Sequence, residues 1–229
     1  MAENENTDGM EQGMHQRTQN SGYSPVRFPA SPTLQNLPFT PEKEREYLRR
    51  EGVPLIFIDA QLSDFSEAVL KYRDRGVFIW GGRGVGKSHL AVALMREQLS
   101  QVMYEVSEGI QPRLIKNTVP IFITIPDLFF KIKQAYGNGA ETEADIIDKY
   151  TAVDFLVLDD FGAEKVSEWS LQLLYILIDR RYRELKKTIM TSNLPLDELA
   201  IRLDDRIASR IAGMGEVVKL TGKDRRIKR

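Results

Sequence analysis

The stretch GGRGVGKS at 81–88 constrains this chain more than any other part of it. It matches G-x-x-x-x-G-K-[ST], with Gly81, Gly86, Lys87 and Ser88 at the fixed positions. At ordinary residue frequencies four such positions coincide in about one chain of this length in a hundred. An apolar run, VFIW at 77–80, precedes the stretch, and a helical pattern, GKSHLAVALMREQL, follows it. Strand, glycine-rich turn and helix, in that order, are the context in which this pattern binds phosphate. Glycines let backbone N–H groups curl around phosphate oxygens, and the helix N-terminus adds its positive dipole end. The predicted cradle comprises Gly82, Gly84, Val85, Gly86, Lys87, Ser88 and His89. In it Lys87 reaches the β- and γ-phosphates of a nucleotide and Ser88 turns its hydroxyl to Mg²⁺. His89 reads as a packing or locally hydrogen-bonded side chain at the cradle's edge, not a catalyst.

The alternation continues beyond the cradle. Apolar runs stand at 77–80, 120–125 (PIFITI), 153–160 (VDFLVLDD), 188–192 (TIMTS) and 216–220 (EVVKL). Helical patterns separate them, namely PDLFFKIKQAY, EWSLQLLYILIDRRYRELK and LDDRIASRIAG. Strands apolar throughout and alternating with helices predict an α/β fold whose five-stranded parallel sheet is covered on both faces. PEKEREYLRREG and FSEAVLKYRDRG read as two shorter helices ahead of the sheet, closing at Gly52 and Gly76. The stretch 104–119 reads as a polar connection with little pattern, and GNGAETE at 137–143 as a loop.

Residues 1–38 are rich in Asn, Gln, Glu, Ser, Gly and Pro and lack apolar periodicity. Such a segment cannot offset its ordering entropy by burial, so a disordered tail at 1–38 is expected before one domain at 39–229. With 229 residues, 42% of them hydrophobic, the chain can build one sizeable core. Lys and Arg number 32 against 33 Asp and Glu, so only local patches can argue for nucleic acid. Cysteine is absent, which excludes a disulfide framework, a cysteine zinc site and a catalytic thiol. No apolar run approaches the ~18 residues of a membrane span, so a cytoplasmic protein without membrane contact is expected.

Two further motifs carry chemistry. FLVLDDFGAE ends an apolar run in adjacent carboxylates, Asp159 and Asp160. Ligands of parallel sheets lie at the carboxyl ends of strands, where the glycine-rich turn also begins. Asp159 is therefore expected to meet the Mg²⁺ held by Ser88, and Asp160 to orient or deprotonate an attacking water. One strand later TIMTSN ends in Asn193, whose amide can hydrogen-bond that water or the γ-phosphate. Arg202, Arg206 and Arg210 recur every four residues beside Leu203, Ile207 and Ile211. On one helix this places the arginines at the edge of the buried stripe, about 100° round from it, which suits a subunit boundary.

Together the motifs GGRGVGKSHLAVAL, FLVLDDFGAEKVSEW, TSNLPLDEL and RIASRIAGMGEVVKLTGKDRR resemble AAA+ ATPases. Within these the sequence is most similar to the DnaC/DnaI-type helicase loaders and the related IstB transposition ATPases, over about residues 45–226. The resemblance implies ATP hydrolysis with Gly86, Lys87 and Ser88 as Walker A, Asp159 and Asp160 as Walker B, and Asn193 as sensor 1. It further implies an arginine finger at Arg210, with Arg206 as the alternative, that completes a neighbouring subunit's ATP site in a homo-oligomer. The sensor-2 position falls on Arg226, with Arg225 one residue away, and no sizeable helical lid follows it. The implied partners are a replicative DnaB-type helicase and single-stranded DNA, or, in the IstB branch, a transposase and double-stranded DNA.

Overall fold

A strand buried on both faces needs helices on both sides, and the computed structural model of the chain is built that way. It describes residues 33–36, 40–66, 71–72, 75–99, 102–106, 113–114, 119–135, 141–162 and 167–226. In order they form β1 (Thr33–Asn36), α1 (Pro41–Arg50), β2 (Gly76–Trp80), α2 (Lys87–Leu99), β3 (Met103–Val106) and β4 (Arg113–Leu114). Then come β5 (Ile121–Thr124), α3 (Ile125–Ala135), α4 (Glu143–Ala152), β6 (Phe155–Phe161) and α5 (Glu168–Arg183). The series closes with β7 (Lys187–Ser192), α6 (Leu196–Arg202), α7 (Asp205–Met214) and β8 (Gly215–Lys219).

The main sheet has the order β5-β6-β7-β2-β8, and every neighbouring pair is parallel. Successive side chains of a strand point to opposite faces, which divides the core in two. Val77, Ile79, Val157 and Ile189 pack with Leu90, Leu94 and Met95 of α2 and Leu48 of α1. Phe78, Leu156, Leu158 and Met190 pack with Leu128 and Ile132 of α3, Ile147 and Tyr150 of α4, Leu177 of α5, and Ile207 and Ile211 of α7. The five-stranded parallel sheet stands as expected, each strand beginning or ending within two residues of its apolar run.

Several local expectations need correction. Within 104–119, expected to be a polar connection with little pattern, 104–106 and 113–114 belong to strands β3 and β4 of a small antiparallel sheet, β1-β3-β4. Thr33–Asn36 joins it, so ordered backbone reaches into the stretch expected to be tail; 1–32 and 37–39 lie outside the described residues. Helices α4 and α6 were not expected. Thr142 and Asp145 form a reciprocal capping box that starts α4 at the edge of the expected loop. Half of the helix expected over 65–76 (67–70 and 73–74) lies outside the described residues, and Gly76, its expected end, is instead the first residue of β2. The arginine stripe does not lie on one helix: α6 stops at Arg202, and Asp204 caps a new helix by accepting the Arg206 N–H. Leu203, Ile207 and Ile211 are nonetheless all buried.

One buried cation binds these layers. Arg181 of α5 is fully buried, and it donates to Thr188 Oγ1 and to the backbone carbonyls of Tyr150, Thr151, Val153 and Lys187. It thereby caps the C-terminal carbonyls of α4 and ties α5 to β7. Burial pushes its pKa down to about 9, which leaves it charged at neutral pH.

Candidate nucleotide site

Because β6, β7 and β2 are neighbours, the loops after them converge at one edge of the sheet. The loop after β2 runs through Gly84 and Gly86, at φ 75° and 104°, and delivers Lys87 at the start of α2. Only glycine enters that region without strain, so the two glycines are conformational requirements. Lys87 Nζ donates to Gly81 O at 3.0 Å, Gly82 O at 2.8 Å and Asn193 Oδ1 at 2.8 Å. Val85 is buried beneath the loop, in reach of Gly81 and Gly82.

The carboxylates stand across from this lysine. Asp159 is 6% exposed; its Oδ1 accepts from Thr191 Oγ1 at 2.5 Å, and its side chain is also hydrogen-bonded to Ser88. Burial raises its carboxyl above the ordinary range, opposed by those two hydroxyls. Burial likewise lowers Lys87, opposed by the negative charges of Asp160 and Asp159. Asp160 turns away from the strand direction: its φ is 59°, within an irregularity of the β6–β7 pairing between Leu158 and Phe161. Its backbone N–H donates to Thr191 Oγ1 at 3.0 Å, and its Oδ1 accepts from Asn193 Nδ2 at 3.1 Å. Lys87, Asn193 and Asp160 thus form one chain of hydrogen bonds, anchored by Thr191, a site residue that the sequence did not single out.

A cavity of about 540 Å³ opens beside the loop, lined by Gly84, Gly86, Lys87, Ser88, His89, Ile56, Phe57, Arg225 and Arg226. The volume suits a nucleotide. The polar donors cluster at the loop, and Ile56 and Phe57 make the apolar end. His89, at the edge of the cavity, has Nε2 2.7 Å from Asp64 Oδ2, and its ring meets Phe57 and Phe65 edge-on. Both candidate C-terminal arginines line the cavity. Arg225 donates its backbone N–H to Gly84 O at 2.9 Å and lies over the Phe65 ring at 4.5 Å. A Cβ added to Gly86 would lie 3.1 Å from its Nε, so the arginine crosses directly over the glycine. Arg226 is bound through its backbone N–H to Asp224 Oδ1 at 2.9 Å.

Arg210 lies on another surface, where α7 packs against α5. Its Nε meets Asp179 Oδ1 at 2.5 Å and its Nη2 meets the Tyr175 hydroxyl at 2.8 Å. Arg206 pairs with Asp204 and also lies over the Tyr175 ring, at 4.9 Å. Neither arginine lines the cavity of its own chain.

Among the described residues no three His, Cys, Asp or Glu side chains gather as a metal cluster. One buried carboxylate beside one hydroxyl, Asp159 and Ser88, could hold a Mg²⁺ of the kind that keeps waters and substrate phosphates as its other ligands.

The sequence pattern of the family described as IstB-like ATP binding protein matches residues 59–229. The replicative helicase loader DnaC of Escherichia coli (strain K12) is 26% identical over 135 residues, 58% of this chain and 49% of that protein. The chain thus matches about half the length of this curated relative. An insertion sequence IS232 putative ATP-binding protein of Bacillus thuringiensis subsp. berliner is 29% identical over 218 residues, 93% of this chain and 76% of that one. Among solved structures, the crystal structure of the DnaC helicase loader superposes with a TM-score of 0.59 at 26% identity, covering 73% of this chain and all of that one. That of DnaI gives 0.58 at 23% identity over 73% of this chain and 94% of that one, a likeness of fold.

Proposed function

The chain belongs to the family of IstB-like ATP binding proteins, and from that premise we propose that it is a Mg²⁺-dependent ATPase acting as a helicase loader. The observation that carries the ATPase reading is the hydrogen-bonded chain from Lys87 through Asn193 to Asp160 beside the nucleotide-sized cavity. On nucleotide binding Lys87 exchanges its bonds to the Gly81 and Gly82 carbonyls for the β- and γ-phosphates, beside the backbone N–H groups of the loop. Ser88 and Asp159 hold Mg²⁺, which neutralises charge on the phosphates when bound. Asn193 orients the attacking water. Asp160 takes its proton as the water oxygen bonds to the γ-phosphorus and the bond to ADP breaks. Arg225 and Arg226 close the cavity from the C-terminal side. Arg210, turned away from its own cavity, serves the ATP site of a second copy, so the working form is a homo-oligomer.

The likeness to the replicative helicase loader DnaC in sequence and fold supports a replicative helicase as partner, and we take single-stranded DNA as the strand it is loaded on. The test is retention of the cognate helicase on the immobilised full-length protein with ATP and Mg²⁺; no retention overturns the loader reading. A second reading, a transposition helper that binds double-stranded DNA, is favoured by the match that spans 93% of the chain. The same assay with the transposase of a neighbouring gene as bait separates the two.

A further inference from the structure

A guanidinium carries five N–H groups, and how a protein spends them decides what is left for a ligand. Arg210 spends three. Nε donates to Asp179 Oδ1, one Nη2 hydrogen to the Tyr175 hydroxyl at 2.8 Å, and one Nη1 hydrogen to the Arg206 carbonyl at 3.1 Å. By subtraction one N–H remains on each terminal nitrogen. A donor left on each terminal nitrogen of one planar guanidinium can serve two oxygens of a phosphate. Two further contacts and partial burial stiffen the arrangement. The guanidinium lies 4.7 Å from the centre of the Tyr175 ring, Asp179 is pinned by Arg183 at 3.2 Å, and the Arg210 side chain is only 25% exposed. A long arginine on a surface normally loses rotamer freedom when it binds; here α5 has already fixed it.

We infer that Asp179 and Tyr175 are positioning residues that hold Arg210 with two N–H groups directed to the γ-phosphate of an ATP bound by a second copy of this chain. The inference rests on the reading of Arg210 as a finger acting between subunits. Asp179 and Tyr175 touch neither the nucleotide cavity nor the reacting atoms of their own subunit. Their contribution is geometric, and a misplacement of about 1 Å at a catalytic group costs on the order of a hundredfold in rate.

The experiment uses full-length protein. Asp179→Ala and Tyr175→Phe are each expected to lower kcat for ATP by about tenfold or more while KM for ATP stays within about twofold, because each subunit's own cradle is intact. Each variant is then mixed with Lys87→Ala subunits. Interfaces that pair an intact cradle from the first with an intact Arg210 from the second should regain turnover. A variant that merely loosens the fold regains none, and that result overturns the inference, as does unaltered or increased kcat in both variants. Tyr175→Phe removes a single oxygen and carries the test by itself if Asp179→Ala melts early. Arg210→Ala run alongside keeps the two readings apart. If it turns over normally, the finger assignment fails whatever Asp179 does. If it is slow and is rescued in mixtures while the other two variants run at the wild-type rate, only the positioning inference fails.

Discussion

Asp160 stands at φ 59°, a conformation that Asp and Asn tolerate better than other side chains. Asp160→Asn therefore keeps the backbone and removes only the proton acceptor. ATP turnover, measured as phosphate release, should fall about 10²- to 10⁴-fold with nucleotide binding retained; unchanged turnover would show that Asp160 is not the base. Asp159 poses the opposite problem, a carboxylate that the fold disfavours. Burial raises its pKa above the unfolded value, so the cost of ionising it is absent below about pH 4 and complete above the folded pKa. Asp159→Asn bears no such cost. Its melting temperature, without nucleotide or Mg²⁺, should gain on wild type as pH rises from about 4 to 7, and parallel curves would refute this. Lys87, Ser88, Asp159, Asp160 and Asn193 were legible because each belongs to a short motif at a strand end. Thr191 was not singled out, because a hydroxyl at a strand end announces nothing until its partner, Asp159 on the neighbouring strand, is known.

Elements show where reading from pattern stops. Helix α6 has seven residues and one buried side chain, Leu199, too few to display a period. In α4 the buried positions Ile146, Ile147 and Tyr150 follow a capping pair that, in sequence, looks like loop composition. Arg181 sits in the charged run DRRYR, which reads as a solvated helix end, yet it holds five oxygen acceptors. Arg181→Leu leaves buried carbonyls unpaired and should destabilise the protein by at least about 3 kcal/mol in urea unfolding. A midpoint shift small enough to mean under about 1 kcal/mol would rule out the clasp. The close start of β2 and β8 makes a second element-scale prediction. A Cβ on Gly215 would lie 1.8 Å from the Gly76 carbonyl oxygen, backbone against backbone. Gly215→Ala should cost about 1–3 kcal/mol. It should also weaken ATP binding, because β8 leads into Leu220, bonded to Trp80 O, and Arg225, bonded to Gly84 O. Normal ATP affinity in a destabilised variant would uncouple β8 from the cradle.

At the scale of the molecule, a finger that serves a second copy makes turnover a property of the assembly. Activity per subunit should rise with protein concentration, and addition of subunits carrying both Lys87→Ala and Arg210→Ala to wild type should lower it more than dilution does, because such a subunit spoils the interface on each side of it; flat specific activity would place the whole site within one chain. The sheet order carries a different consequence. β2, which leads into the phosphate loop, pairs with β7 on one side and β8 on the other, and both come roughly a hundred residues or more after it in the chain. On a ribosome adding about 5–20 residues each second, β2 waits on the order of ten seconds for its neighbours. During that time its apolar faces and its row of backbone donors and acceptors stand open to any strand nearby. A nascent chain stopped before β7 thus carries the whole GGRGVGKS motif and cannot yet hold a nucleotide with it, and in that interval the protein has most to gain from a chaperone.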